Sequence, residues 1–184
     1  MEWVEYQRLS ERTLSSEFHC DVRTQRLLHA VMGMLTEIEE VLDNHSADTV
    51  DDVNRAEEWG DIAWYLAILS REYSVLPGPE GPVGEGVSAD RSIMTLTKHL
   101  LRFLDMLKKS IYYGRKFDDD TACALTSSIM RASFEYAEGV GIDTSQAMRA
   151  NIEKLRARYG DKFSSDSAIN RDLEKERRIL SDNL

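Results

Sequence analysis

Residues 22–44 read VRTQRLLHAVMGMLTEIEEVLDN, and the apolar side chains Leu27, Val31, Leu35, Ile38 and Leu42 recur every three or four positions rather than every two. A 3.6-residue period puts all five on one face of an α-helix, whereas a strand would alternate them between two faces. Asp21, just ahead of the stretch, supplies a side-chain oxygen suited to capping the first turn. The same spacing extends over 3–16, 49–73, 91–113, 119–138 and 143–159, with Asp90 and Asp143 as further caps and Gly114 and Gly160 as stops. No segment reads convincingly as a strand. The expected fold class is therefore all-α, an antiparallel helical bundle of about five to six helices.

A chain of 184 residues with 42% hydrophobic content can bury one sizeable core, so a single domain over 1–163 is expected. The one strong break is 74–90, which gathers Pro77, Pro79 and Pro82 with four of the ten glycines and reads as a flexible connector between two helical halves. Beyond 163, the tail 164–184 carries Arg171, Glu174, Lys175 and Arg178 at helix-compatible spacing but has few apolar anchors. It is expected to be mobile or to serve as an oligomer contact.

Lys plus Arg number 23 against 33 Asp plus Glu, a net charge of −10 that phosphate backbones and anionic membranes would repel. Neither nucleic acid nor membrane is an expected partner. The imbalance is local: residues 1–90 hold 6 basic and 19 acidic residues, and residues 91–184 hold 17 and 14. Cys20 and Cys123 form no disulfide framework and no paired metal motif. The longest apolar run, Ile62 to Leu69, is far too short to span a bilayer, and residues 1–5 lack the features of a signal peptide. A soluble cytoplasmic protein is the expectation.

Glu37 and Glu40 stand three apart on one expected helix, and Glu58 and Asp61 stand three apart on the next, so each pair projects from one face. In so acidic a chain such spacing arises by chance. The surroundings of the second pair carry more weight, because Trp59, Ile62, Ala63, Trp64, Tyr65 and Leu66 make this an apolar stretch in which a carboxylate needs a neutralising partner. Residues 27–70 offer one basic side chain, Arg55, against ten acids. Two carboxylates about 5 Å apart repel by roughly 3 kcal/mol at an effective dielectric near 20, so four together call for cations. Hard oxygen donors without His or Cys suit Mg²⁺ or Mn²⁺, and two ions would balance four carboxylates. A magnesium site of this type commonly completes its shell with phosphate, and basic clusters at Lys108, Lys109, Arg115 and Lys116 and at Lys154, Arg156 and Arg158 suit a polyphosphate. Trp59 and Tyr113 are candidate base contacts, while Trp64 and Tyr65 are assigned to the core. The four histidines have no ligand spacing, and the absence of any Glu-x-x-His pair argues against a di-iron carboxylate bundle.

Glu37-Ile38-Glu39-Glu40, seventeen intervening residues, and Glu58-Trp59-Gly60-Asp61 followed by Ile62-Ala63-Trp64-Tyr65-Leu66 make an ExxE…ExxD pattern. It resembles that of the MazG-like all-α nucleoside triphosphate pyrophosphohydrolases, which are related to the dimeric dUTPases. Tyr6-Gln7 with Arg12-Thr13, and Asn151 to Tyr159, are similar to segments of virus-encoded members, so the resemblance covers about residues 3–163. It implies hydrolysis of a nucleoside or deoxynucleoside triphosphate to the monophosphate and pyrophosphate, with dGTP or GTP and dUTP as leading substrates. It further implies two or more Mg²⁺ or Mn²⁺ ions on Glu37, Glu40, Glu58 and Asp61. Glu37 is the first choice of general base, with Glu39 and Glu40 as alternatives. Lys109, Arg115, Lys154 and Arg158 would clamp phosphates, Asn151 would bond phosphate or sugar, and the active form would be a homodimer or homotetramer.

The sequence departs from the family in two respects. Lys108 to Lys116 resembles a segment that phage members carry between the two acidic motifs, yet here it follows both. A degenerate duplication accounts for that, with 29–73 as the active unit and about 99–141 as a second unit holding Ser127, Ser128 and Met130 in place of ExxD. Glu39 also stands where many members have Gly. The rival reading from another class is a non-catalytic acidic helical interaction protein.

Overall fold

A computed structural model describes residues 1–47, 49–76, 88–160 and 162–184. The first element, α1 (Trp3–Ser10), runs into a 3-10 turn at Glu11–Thr13, shorter than the helix expected over 3–16. Ser10 and Thr13 turn their hydroxyls back onto main-chain carbonyls, at Gln7 and Ser10, which competes with helix continuation. Next come α2 (Val22–Ser46) and α3 (Asp52–Tyr73), opened by Asp21 and Asp51, whose side chains accept from the backbone N–H of Thr24 and Asn54. The following helix, α4 (Ala89–Tyr113), is capped by Ser88, which accepts from Arg91 N, so the expected cap Asp90 sits instead in the first turn. There its charge still complements the helix dipole. Asp118 and Asp143 then cap α5 (Asp119–Gly139) and α6 (Thr144–Tyr159). Gly114 (φ 61°) ends α4 in the left-handed conformation that glycine adopts without strain. Two further helices, α7 (Ser165–Ile169) and α8 (Leu173–Asn183), complete the chain.

Eight α-helices, rather than five to six, thus make up the described residues, and no strand occurs among them. Four of them form the bundle. Arg23 reaches Glu72 at 2.5 Å, joining the start of α2 to the end of α3, and Trp59 Nε1 donates to Ser133 O at 3.0 Å, joining α3 to α5. His19 N donates to Ile111 O at 2.8 Å beside the start of α2, while His45 near its end lies 3.6 Å from Asp90 at the start of α4. These pairings make α2 antiparallel to both α3 and α4. The hairpins α2–α3 and α4–α5 pack face to face over Val31, Met34, Ile38, Trp59, Ile62, Leu100, Phe103 and Ile129, all fully or nearly fully buried. Tyr73 and Ala89 fall at opposite ends of the bundle; of the connector read over 74–90, residues 77–87 lie outside the described residues.

The sixth helix, α6, lies along the outer side of α3, and α8 packs on α6. The tail is therefore neither bare nor unattached within the chain. Leu180 is buried, and Glu176 is held by Arg158 and Arg171, an ionic anchor that apolar periodicity does not reveal. No helix among the described residues is long and apolar enough to cross a membrane.

Candidate metal centre

The antiparallel α2–α3 hairpin brings Glu37 and Glu40 of α2 opposite Glu58 of α3, with one carboxylate oxygen from each lying within 4.8 Å of the other two. Glu58 is buried, Glu37 is half-buried and Glu40 is exposed, so the trio forms a pit open on one side. Burial, reinforced by Asp61 and Glu40, pushes the Glu37 carboxyl up to about 7. Burial also raises Glu58, with Glu40, Glu57, Asp61 and Glu37 adding repulsion, up to about 9. Carboxyls raised in this way are favoured in the protonated form or beside a positive charge. Three hard oxygen donors of this kind could hold a divalent cation. Among the described residues this is the one such acidic group, and Ser127 and Ser128 of α5 bond back onto their own helix.

Asp61, expected as the fourth ligand, is occupied differently. Its Oδ1 accepts from Asn151 Nδ2 at 2.5 Å and its Oδ2 from Lys154 Nζ at 2.5 Å. The ammonium also donates to Glu57 Oε1 at 3.1 Å. The Lys154 side chain is wholly buried; desolvation alone would lower its pKa, but Asp61 and Glu57 outweigh that and raise it. A basic residue more than ninety positions away thus supplies part of the charge that residues 27–70 lack.

Gly60 makes the approach of α6 possible. A Cβ built there would stand 3.2 Å from Asn151 Cβ and 3.3 Å from Ala147 O, tighter than side chains ordinarily pack. Gly33 plays the matching part on α2, because a Cβ there would fall 2.2 Å from the Tyr65 ring. The ring lies over this gap one turn beyond Asp61, and burial together with Glu37 and Asp61 raises its hydroxyl pKa.

Of the expected substrate contacts, Asn151 and Lys154 are at the carboxylates, and the others are placed elsewhere in the chain. Trp59 is fully buried, with its indole N–H bonded to Ser133 O and its ring edge-on to Phe134, so it is core rather than a base contact. Trp64, assigned to the core, is 39% exposed and packs edge-on to Tyr65 and His29. Burial falls on Trp59 rather than Trp64 because α3 meets α5 through the face that carries Trp59. Lys109 pairs with Asp105 on its own helix, and Arg115 and Tyr113 lie with it around the end of α4. That end adjoins the start of α2 near Arg23; Glu37 is fourteen residues farther along, about 21 Å at 1.5 Å per residue. Lys109, Arg115 and Tyr113 therefore do not reach the carboxylates of the same chain. Arg158, one turn beyond Lys154, is engaged by Glu176.

Glu57, Gly60 and Glu176 are the participants that sequence reasoning missed. Gly60 inside an otherwise uninterrupted helical pattern was a legible sign of close packing. For Glu57 and Glu176 there was no local signal, since their partners are distant in sequence.

No family model, curated protein or solved structure matches the chain. Fold and site together define an all-α bundle with a half-buried carboxylate centre and an adjoining buried lysine.

Proposed function

We propose that the chain is a divalent-metal-dependent nucleoside triphosphate pyrophosphohydrolase, cleaving an NTP or dNTP to the monophosphate and pyrophosphate. The observation that carries the reading is the meeting of three carboxylates within 4.8 Å with Asp61, Asn151 and buried Lys154 alongside. Glu40, Glu58 and Glu37 would hold Mg²⁺ or Mn²⁺, and Asp61 would join them on exchanging its lysine for the ion. A divalent ion bound there supplies Lewis acidity and charge neutralisation. Glu37, where it is not itself bound to the ion, would accept the proton of the attacking water, with Glu39 and Glu40 as alternatives. Lys154 and Asn151, released from Asp61, bond the phosphates, so the same donors stabilise the carboxylate before binding and the substrate after it. Attack at the α-phosphorus breaks the bond to the bridging oxygen, which leaves with pyrophosphate. Phosphate contacts beyond Lys154 and Asn151 would come from Arg158 or from a second copy of the chain in a homodimer or homotetramer.

The competing reading, a non-catalytic acidic interaction module, is supported by the same salt bridge, because Lys154 already neutralises Asp61. Incubation with each common dNTP and NTP plus Mg²⁺ or Mn²⁺, with product separation, decides between them. Monophosphate and pyrophosphate are the expected products, with dGTP, GTP and dUTP as the first substrates to test. Diphosphate and orthophosphate would reject the assigned bond, and no turnover of any member would favour the interaction module.

A further inference from the structure

Arg158 lies one turn beyond Lys154 on α6, so the two cations share a helix face. Its guanidinium is engaged through two of its nitrogens: Nε donates to Glu176 Oε1 at 2.8 Å and Nη2 to Glu176 Oε2 at 2.6 Å. This is the bidentate geometry that an arginine offers to phosphate as readily as to carboxylate. Arg171 adds Nη2 and Nε bonds at 2.8 and 3.2 Å to the same Oε2, and Glu176 is only 3% exposed.

The attachment of α8 depends heavily on this carboxylate. Of its eleven residues only two are buried, Glu176 and Leu180, while Leu173 at its start is 63% exposed. The other ties are the Arg177–Asp51 bridge at 2.6 Å, a 3.4 Å bond from Gln146 Nε2 to Leu184 O, a 3.5 Å bond from Lys175 Nζ to Ala157 O, and the partly buried Leu184 packed against the core. A helix whose buried side chains are one leucine and a carboxylate between two arginines can be loosened by a competing anion.

We propose that α8 is an internal anionic competitor, in which Glu176 occupies the Arg158 guanidinium and a polyphosphate that takes Arg158 displaces Glu176 and loosens α8. The proposal rests on the phosphate-binding reading of α6 given above. Glu176 touches no reacting atom; it acts through Arg158, setting the availability of that cation to the ligand. No covalent step is involved, only the exchange of one oxyanion for another.

Hydrogen–deuterium exchange of the full chain with and without inorganic tripolyphosphate, in the presence of Mg²⁺, tests the displacement directly. Faster exchange at 173–183 on addition of tripolyphosphate is expected. By calorimetry, Glu176→Gln, which keeps the shape and removes the charge, should bind tripolyphosphate about tenfold more tightly, in keeping with one charge-assisted hydrogen bond. Unchanged or slower exchange at 173–183 in ligand-saturated wild type would overturn the proposal and make α8 a structural strut, leaving the hydrolase reading intact. Equal affinity of a folded Glu176→Gln variant would do the same. Failure of both proteins to bind tripolyphosphate would overturn the phosphate-binding role of α6 and this proposal together. Should Glu176→Gln misfold, wild-type exchange alone decides.

Discussion

Lys154 Nζ lies 2.5 Å from Asp61 Oδ2 and 3.1 Å from Glu57 Oε1, with no part of its side chain exposed. The pair makes Lys154 the electrostatic partner of a residue proposed to join the metal site, so stability and activity part company on mutation. Asp61→Asn leaves Lys154 with Glu57 alone and should lower unfolding free energy by about 3 kcal/mol, the usual cost of breaking a buried pair. Adding Lys154→Met should recover part of that loss, since it removes the wholly buried ammonium and leaves only Glu57, whose side chain is 15% exposed, without its partner. Turnover should be absent in both variants. Urea denaturation and steady-state assays check this; a double variant less stable than the single would reject the pairing as the source of the loss.

Gly60→Ala separates the two properties in the opposite way. Alanine favours a helix interior by about 1 kcal/mol over glycine. Its methyl would meet Asn151 and the backbone at Ala147, at a packing cost of about 1–3 kcal/mol. Stability should therefore fall by no more than about 2 kcal/mol. Turnover should fall on the order of tenfold, because α6 must shift by a few tenths of an ångström and carry Asn151 and Lys154 with it. Activity equal to wild type would show that the closeness of α6 to α3 does not matter to the chemistry.

The helices that carry the site were legible in the sequence because their signals are local. Apolar residues on α2 mark one face, and the capping oxygens of Asp21, Asp118 and Asp143 lie three residues from the N–H groups they accept. The opposition of Glu37 and Glu40 to Glu58 followed once two adjacent helices were read as an antiparallel hairpin. What was not legible is pairing across long separations. Lys154 could be named as a cation, but its partner depends on which face of α6 meets α3, and that is decided by Gly60 and Ala147 in contact. The Trp59 and Trp64 assignments failed for the same reason: residues five apart point to different faces, and sequence does not say which face α5 covers.

Acid titration supplies the next test. Glu37 and Glu58 are raised from 4.5 to about 7 and about 9, so between those values the folded chain holds protons that the unfolded chain has released. The stability these groups give is complete below pH 4.5 and is lost as pH rises through 7 and then 9. A divalent ion replaces the missing protons and binds best where fewest must be displaced. Saturating Mn²⁺ should therefore raise Tm more at about pH 8 than at about pH 5.5, and without metal the protein should be less stable at the higher pH as far as these groups contribute. Equal stabilisation at both pH values would separate Mn²⁺ binding from Glu37 and Glu58.

Finally, the two tryptophans of α3 should respond differently to the same change. Trp59 is wholly buried and donates to Ser133 O, so Trp59→Phe removes a buried hydrogen bond and leaves space between α3 and α5, at a cost of about 2–3 kcal/mol. Trp64 is 39% exposed and makes no side-chain hydrogen bond among the described residues, so Trp64→Phe keeps an aromatic edge against Tyr65 and His29 and should cost under about 1 kcal/mol. Urea midpoints at unchanged slope measure both. A Trp64→Phe loss as large as that of Trp59→Phe would mean that the outer face of α3 is covered in solution, which size-exclusion chromatography with light scattering would then register as a dimer or tetramer formed through this face.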